Sequence, residues 1–260
     1  MRKVKEITNY LTSLYPHDLC SNFDLGKVGL QFGDGEAEVK KVLIALDGTS
    51  SVVQEAIDNN CELLVTHHPF MFNPMLHLDY STPFGKKLMN VMKHNLNLYS
   101  MHTNFDTGDN GMNDILASLL NLRDVHGVTD EAEHDKFLKI GTIDEMSLDY
   151  FSDIVKEKFA EPYVRVVGDL NRKIKRVAVV GGAGSSCVLE AAFKNCDCIV
   201  TGEIHHNVAL DAIDYNIAII EVGHAVERLF KYEMRNRLAK QFPDVEFICA
   251  TKEDNPFTYK

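Results

Sequence analysis

The sequence predicts an α/β fold with two lobes, each built around one copy of a duplicated β-α-β unit. Three observations support this prediction. Short apolar runs alternate with stretches of helical periodicity, which is typical of parallel sheets covered by helices. A 28-residue stretch of the first half recurs in the second half without a gap. Histidines and carboxylates follow the predicted strands in both halves.

The internal repeat emerges when residues 41–68 are shifted by 135 positions onto residues 176–203. Ten of the 28 aligned positions are identical, whereas average residue frequencies predict about two by chance. Any two β-α-β units share apolar strands and a helix, but here Ser-Ser, Glu-Ala, Asn-Cys and Val-Thr pairs also coincide. The match resumes at an offset of 121, where residues 96–99 fall on residues 217–220. Duplication is therefore the stronger interpretation.

The hydrophobic pattern predicts the order of the elements and three segments. Residues 1–125 form the first lobe, 126–173 a connector with its own elements, and 174–260 the second lobe. The first lobe is predicted to contain helices over 3–14, from Ser50 or Ser51 to Asn59, over 84–94 and over 112–121, with strands over 41–46, 63–66 and 96–101. The second lobe is predicted to end with a long helix after His224 and a strand over 245–249.

Composition narrows the class of partner. The formal net charge is −11, which disfavours general nucleic-acid binding because that needs clustered lysine and arginine. This net charge is still compatible with a local basic pocket that binds one small anionic ligand. No apolar run approaches the roughly 20 residues of a membrane span, and the first residues lack the apolar centre of a signal peptide. The six cysteines are scattered without zinc-knuckle spacing. We expect a cytoplasmic protein with reduced, buried thiols and no membrane partner.

Two adjacent histidines, His67 and His68, follow an apolar strand and precede Pro69. Proline stops the strand and fixes the turn, so both imidazoles can turn toward one space. Neutral imidazole is a common metal ligand. The alternative, that one ring packs in the core and the other is solvated, is left open by this dipeptide alone.

Further polar clusters follow other predicted strands, where ligands of parallel α/β sheets gather. They are His102 with Asp106, His205 with His206, and His224 with Glu227. Imidazole with carboxylate favours zinc, iron or manganese over calcium, and a bridging carboxylate would allow two ions.

Some of these clusters also have simpler explanations. His224 and Glu227 share a face if a helix starts there, but an acidic first helical turn needs no metal. His205 and His206 are equally explained as the start of a surface helix. In the repeat, Glu203 takes the place of His68, so the second half lacks the His-His pair.

Nucleophilic catalysis has little support, because the chain has no G-x-S-x-G motif. The Gly-Gly-Ala-Gly-Ser-Ser stretch at 181–186 resembles a phosphate-binding glycine turn. It lacks the lysine of a P-loop, and a tight turn between strand and helix explains the glycines equally well.

Six motifs spread over almost the whole chain carry a resemblance to a known family. They are GLQFGD (29–34), LLVTHHPFMF (63–72), HTNFDTGDNGMND (102–114), VAVVGGAGS (177–185), TGEIHH (201–206) and GHAVER (223–228). With these motifs the chain resembles the NIF-three-like proteins, which are catalogued as GTP cyclohydrolase I type 2 homologues.

The resemblance implies a NIF-three-like fold, a site for two divalent ions (zinc, iron or manganese) to which both halves contribute, and a ring-shaped homohexamer. Carried over by position, the metal ligands are His67, His68, Asp106, His224 and Glu227, with Glu227 bridging. Many members have three residues between the last two ligands, whereas this chain has two. At an offset of 121, however, the repeat independently aligns Asp106 with Glu227.

Three functions fit these expectations. The first is a metal-dependent hydrolase of a nucleotide or related small molecule, similar to GTP cyclohydrolase, in which His102 transfers a proton as the catalytic residue. The second is a non-catalytic metal-binding or regulatory scaffold. The third is a phosphoesterase that uses the same two ions. We favour the hydrolase.

Overall fold

The computed structural model describes residues 1–128, 137–253 and 255–258. The chain divides into two compact units. The first unit comprises Met1–Gly108 together with Arg228–Lys260, and the second unit comprises Asp109–Glu227.

Helices and strands alternate along the chain as the sequence predicts. In chain order they are β1 (Arg2–Lys3), α1 (Val4–Leu14), β2 (Gly29–Phe32), β3 (Glu38–Val39), β4 (Lys41–Ala45), α2 (Ser50–Asp58), β5 (Leu63–Thr66), α3 (Pro83–Lys93), β6 (Asn97–Ser100), α4 (Thr103–Thr107), α5 (Met112–Leu119), β7 (Arg123–Gly127), β8 (Lys139–Ser147), α6 (Leu148–Lys158), β9 (Arg165–Val167), β10 (Lys173–Ala183), α7 (Val188–Phe193), β11 (Cys198–Glu203), α8 (His206–Asp214), β12 (Ala218–Glu221), α9 (Leu229–Gln241) and β13 (Glu246–Cys249). Within the described residues, no helix has both the length and the apolar character that a membrane crossing requires.

The first unit is organised around a five-stranded sheet in the order β13-β4-β5-β6-β2. Its strands are parallel except β2, which runs antiparallel to β6 at the edge. All four residues of β5 are buried, as expected for a strand inside a sheet covered on both faces. Residues from α2 and α3, such as Val52 and Val91, form part of the apolar core against this sheet.

The second unit contains a six-stranded sheet in the order β7-β8-β10-β11-β12-β9. Its three inner strands β10, β11 and β12 are parallel, and β8 and β9 flank them in antiparallel orientation. Apolar residues of these strands pack with α7 and α8, including Val188 and Ala212.

Strand register confirms the predicted duplication. The β4–β5 pair places Val42 opposite Leu63, and the β10–β11 pair places Val177 opposite Cys198. Val177 and Cys198 therefore each lie 135 positions after their counterparts in the first pair, Val42 and Leu63. The third parallel strand is β6 in the first copy and β12 in the second. Its paired residues differ by 121 positions in sequence number, because the first copy has the longer loop after its second strand.

Helix ends follow local chemistry in both copies. Thr49, rather than one of the two serines that follow it, caps α2, and its hydroxyl accepts the Val52 N–H at 3.2 Å. After each repeated helix an asparagine takes the left-handed conformation, Asn60 with φ 54° and Asn195 with φ 57°. Asparagine tolerates this conformation better than most residues, which explains why it recurs at this place.

The units do not follow the predicted segment boundaries. β13 pairs with β4, so the end of the chain lies in the first unit and not with residues 174–227. Strands β8 and β9, predicted as parts of a connector, are members of the second sheet. Residues 129–136 of that predicted connector lie outside the described residues.

Candidate metal centre

The His-His pair lies just beyond the carboxyl end of β5. The His67 amide donates to Ala45 O at the end of β4 at 3.2 Å, and the His68 amide donates to Leu46 O just beyond β4 at 2.9 Å. The Thr66 hydroxyl bonds the His68 carbonyl at 2.8 Å, and Pro69 then ends the pairing. These bonds fix the backbone from which both rings project.

Three imidazoles converge in the first unit. One ring nitrogen from each of His67, His68 and His102 lies within 4.8 Å of the others, a spacing that could hold a metal ion. The ring centroids are 5.1 to 5.6 Å apart. A carboxylate joins them, since Asp106 Oδ1 is 3.5 Å from His67 Nε2. Four of the predicted site residues are thus brought together.

Aromatic side chains close one side of this cluster. His67 is fully buried, and the Phe230 and Phe105 rings lie 5.3 and 6.0 Å from its ring centroid. Exclusion of water lowers the local dielectric and strengthens the electrostatic interactions of any cation bound beside His67.

Carboxylates hold the other nitrogen of two of these rings. Asp47 Oδ1 is 2.8 Å from His68 Nδ1, and Asp24 Oδ2 is 2.6 Å from His102 Nδ1. Nε2 is therefore the nitrogen that each ring would offer to a metal ion or to a proton in exchange, and metal-binding histidines are typically oriented in this way. The donor set fits a divalent transition ion.

Asp24 is fully buried and also accepts the Thr103 N–H at 3.2 Å and the Thr103 hydroxyl at 2.6 Å. Burial by itself raises the pKa of this carboxyl group, but the hydrogen bonds from His102 and Thr103 outweigh burial and hold the pKa below its ordinary value. Asp24 therefore stays ionised and fixes the His102 ring.

The second unit carries a similar arrangement at its own strand ends. His224 begins a 3₁₀ turn, His224–Arg228, where the sequence predicted the start of a long helix. His224 Nδ1 is 3.0 Å from Glu203 Oε1, and His224 Nε2 is 3.1 Å from Glu227 Oε2. The two-residue separation thus brings this imidazole and this buried carboxylate together.

Two glycines make room for Glu227. A Cβ on Gly181 or on Gly182 would lie 2.9 Å from Glu227 Oε1, closer than side chains approach. Gly182 also has a φ of +58°, which disfavours other residues. The Gly-Gly pair of the predicted glycine turn is therefore explained by the close approach of the carboxylate.

Sequence reasoning did not identify Asp24, Asp47 or Glu203. Asp47 follows the predicted strand over 41–46, and Glu203 occupies the place of His68 in the repeat, so both positions carried a signal. Asp24 carried none, because it lies in a loop far along the chain from His102.

The remaining histidine pair has a structural explanation. His205 precedes α8 and His206 begins it, and both are exposed. The His205 amide donates to Ser185 Oγ at 2.9 Å. This is the surface-helix start that the sequence offered as the alternative.

Comparisons with known proteins agree with this architecture. A family model described as Duf34/NIF3 (NGG1p interacting factor 3) matches residues 2–256. A Clostridium acetobutylicum protein named GTP cyclohydrolase 1 type 2 homolog is 37% identical over 229 residues, covering 85% of this chain and 84% of that protein. A Clostridium perfringens protein of the same name is 32% identical over 267 residues, covering 99% of each.

Among solved structures, a Bacillus cereus protein related to NIF3 superposes with a TM-score of 0.93. The superposition covers 100% of this chain and 99% of that one, at 24% sequence identity. At this identity the likeness concerns the fold, and it confirms the predicted fold class.

Proposed function

Because the chain belongs to the Duf34/NIF3 family, we propose that it is a dinuclear metal-dependent hydrolase of a nucleotide or related small molecule. The observation that carries this proposal is the convergence of His67, His68 and His102 on one space, with carboxylates holding Nδ1 of two of the rings. The name of the bacterial relatives supports a nucleotide as the first substrate to test.

By the family resemblance, the residues that would hold two divalent ions are His67, His68, Asp106, His224 and Glu227. Two divalent ions supply Lewis acidity and activate water for attack. Zinc, iron and manganese all suit this mixed set of nitrogen and oxygen donors.

We assign proton transfer to His102. Asp24 holds its Nδ1 at 2.6 Å, which fixes the ring and leaves Nε2 to exchange a proton with the substrate. A positioned general acid or base contributes about 10²- to 10⁴-fold to the rate. If His102 acts in this way, His102→Gln keeps its metal and loses turnover, whereas loss of metal would identify His102 as a ligand.

Metal content per chain tests the centre. Protein purified without chelator is analysed by mass spectrometry as wild type, as His67→Ala/His68→Ala, and as His205→Ala/His206→Ala. The last variant is a matched control, since it removes an exposed His-His pair outside the cluster. About two equivalents are expected in the wild type and the control, with a clear drop in the first variant. Equal metal in all three, or no metal in any after soaking, would refute the centre.

Turnover tests the reaction. GTP and other nucleotides are incubated with metal-loaded protein, and ring opening is followed by absorbance while phosphate release is followed separately. Loss of ring opening in His67→Ala with an intact fold is the expected result. Phosphate release alone would indicate the phosphoesterase, and full metal occupancy without any turnover would indicate the scaffold.

The family resemblance also supports a homohexamer as the working assembly. Light scattering of purified protein is expected to give six times the mass of the chain. A monomeric mass would contradict this part of the proposal.

A further inference from the structure

Two exposed aromatic rings and one lysine lie beside the imidazole cluster of the first unit. Phe72 is 46% exposed, and its ring centroid is 6.2 Å from the His102 ring. The Lys27 ammonium lies 3.8 Å from the Phe72 centroid and 5.8 Å from the Phe23 centroid. We call Phe23, Lys27 and Phe72 the aromatic platform.

A tight turn fixes the lysine relative to the cluster. The Lys27 amide donates to Asp24 O at 2.8 Å. Leu25 has φ −53° and ψ 123°, and Gly26 has φ +80°, which together define a type II turn with glycine where φ must be positive. Since Asp24 is itself bound to His102, the turn ties Lys27 to the His102 ring.

A second anchor fixes Phe72. Gln31 Oε1 accepts the Phe70 amide at 2.7 Å and the Ser100 hydroxyl at 2.9 Å. The Gln31 side-chain amide donates to Lys27 O at 2.9 Å and to Met71 O at 3.3 Å. One side chain therefore links the strand end, the segment that carries Phe72 and the turn that carries Lys27, so the platform is held in place before any ligand arrives.

The Lys27 charge faces aromatic rings and not a carboxylate. Among the described residues, no carboxylate forms an ion pair with its ammonium. A cation–π contact between an ammonium group and one ring is common in proteins, and it would account for the contact with Phe72 alone. It would not account for two large aromatic rings left exposed around the charge, next to the imidazole cluster.

We propose that the aromatic platform binds a planar heteroaromatic ring that carries an anionic group. The ring stacks on the phenyl surface that the Lys27 ammonium leaves uncovered, as bases stack on aromatic side chains. The anion, a phosphate or a carboxylate, accepts hydrogen bonds from Lys27. This placement brings the ligand next to His102. The inference rests on the proposed function and names the residues that select its substrate.

The test separates the ring from the anion with three probes. Metal-loaded protein is titrated calorimetrically with guanosine monophosphate, with guanosine, and with ribose 5-phosphate. Lys27→Met removes the charge and keeps the stem, and Phe72→Leu removes the ring and keeps an apolar side chain. Lys93→Met, at an exposed lysine in the last turn of α3, makes the same change in net charge and serves as the control.

Lys27→Met is expected to lower the affinity for guanosine monophosphate and for ribose 5-phosphate about tenfold, as for a lost hydrogen bond to a charged group. The affinity for guanosine is expected to stay unchanged. Phe72→Leu is expected to lower the affinity for guanosine and for guanosine monophosphate about tenfold, as for a lost stacking contact. Equal affinities of Lys27→Met and Lys93→Met for guanosine monophosphate would overturn the platform. Unchanged guanosine affinity in Phe72→Leu, or no binding of any probe by the wild type, would also overturn it.

Metal content and turnover, measured on the same samples, keep the two proposals apart. Two metal equivalents and nucleotide turnover without any effect of Lys27→Met would refute the platform and support the hydrolase. A Lys27-dependent affinity for guanosine monophosphate in protein that turns over no nucleotide would support the platform and refute the hydrolase.

Discussion

Replacing Gly181 with alanine is expected to weaken metal binding without unfolding the chain. The added Cβ would lie 2.9 Å from Glu227 Oε1 and 3.3 Å from Met112 Cγ. The backbone cannot easily retreat, because the Gly181 amide donates to Asn113 Oδ1 at 2.7 Å. The clash is therefore relieved by moving the carboxylate, which is the far end of a flexible side chain.

The size of that movement follows from the distances. Ordinary van der Waals contact begins at 3.4 Å, so Glu227 Oε1 must move by about half an ångström. Ligand distances in metal sites vary by only about 0.2 Å. Disturbing the surroundings of a metal ligand typically costs about 10- to 100-fold in metal affinity, and we expect a loss in this range for Gly181→Ala.

Competition with a chromophoric chelator measures the metal affinity, and thermal unfolding of the metal-free protein measures the fold. Gly127→Ala is the matched control in the same unit, because its Cβ would meet nothing closer than Lys139 Nζ at 4.0 Å. The reasoning would be refuted if Gly181→Ala bound metal as tightly as Gly127→Ala. It would also fail if the metal-free variant unfolded, since unfolding and not the displaced carboxylate would then explain the loss of metal.

Three further perturbations address other parts of the chain. Asp24→Asn releases the His102 ring, and a fall in turnover of about 10- to 100-fold is expected in steady-state assays of metal-loaded protein; unchanged turnover would exclude this positioning role. Burial raises the pKa of Glu55, but bonds from the Thr251 and Lys252 segment outweigh it and hold the pKa below 4.5. The contribution of this group to stability is fully present above pH 4.5 and is lost as pH falls through the lower folded pKa. Glu55→Gln should therefore cost about 1 kcal/mol at pH 7 in urea unfolding, and progressively less as pH falls below 4.5. Burial raises the pKa of Cys61 to about 12 and that of Cys196 to about 11, so both thiols should react with an aromatic disulfide at pH 8 only after denaturation; rapid reaction in the native protein would contradict their burial.

The parts of the fold that were predictable are those that local sequence determines. Apolar runs predict the strands, and the 135-residue offset read from the sequence also relates the β4–β5 pair to the β10–β11 pair. The sequence also aligns Asp106 with Glu227, because both residues follow equivalent strands of the duplicated unit.

Long-range pairing was not predictable from the same patterns. β13 is an ordinary apolar strand, and nothing in its residues indicates that it pairs with β4. In the same way, Asp24 meets His102 across 78 positions of the chain. A carboxylate in a loop gives no periodic signal, and its partner is decided by the loop conformation, which depends here on one turn that requires glycine.

The duplication also explains how two copies of one β-α-β unit carry different polar side chains at their strand ends. In the first unit, the carboxylate of Asp47 holds the imidazole of His68. The matching positions in the second unit are Gly182 and Glu203, so the carboxylate and the imidazole have no counterparts there. Glu203 instead holds His224, which lies beyond the next strand. Each unit thus keeps a carboxylate-imidazole pair at the carboxyl ends of its parallel strands, although the pair comes from different positions. The strand register is the same in both copies, so a change of side chain at these strand ends alters the polar pairing without altering the pairing of the strands.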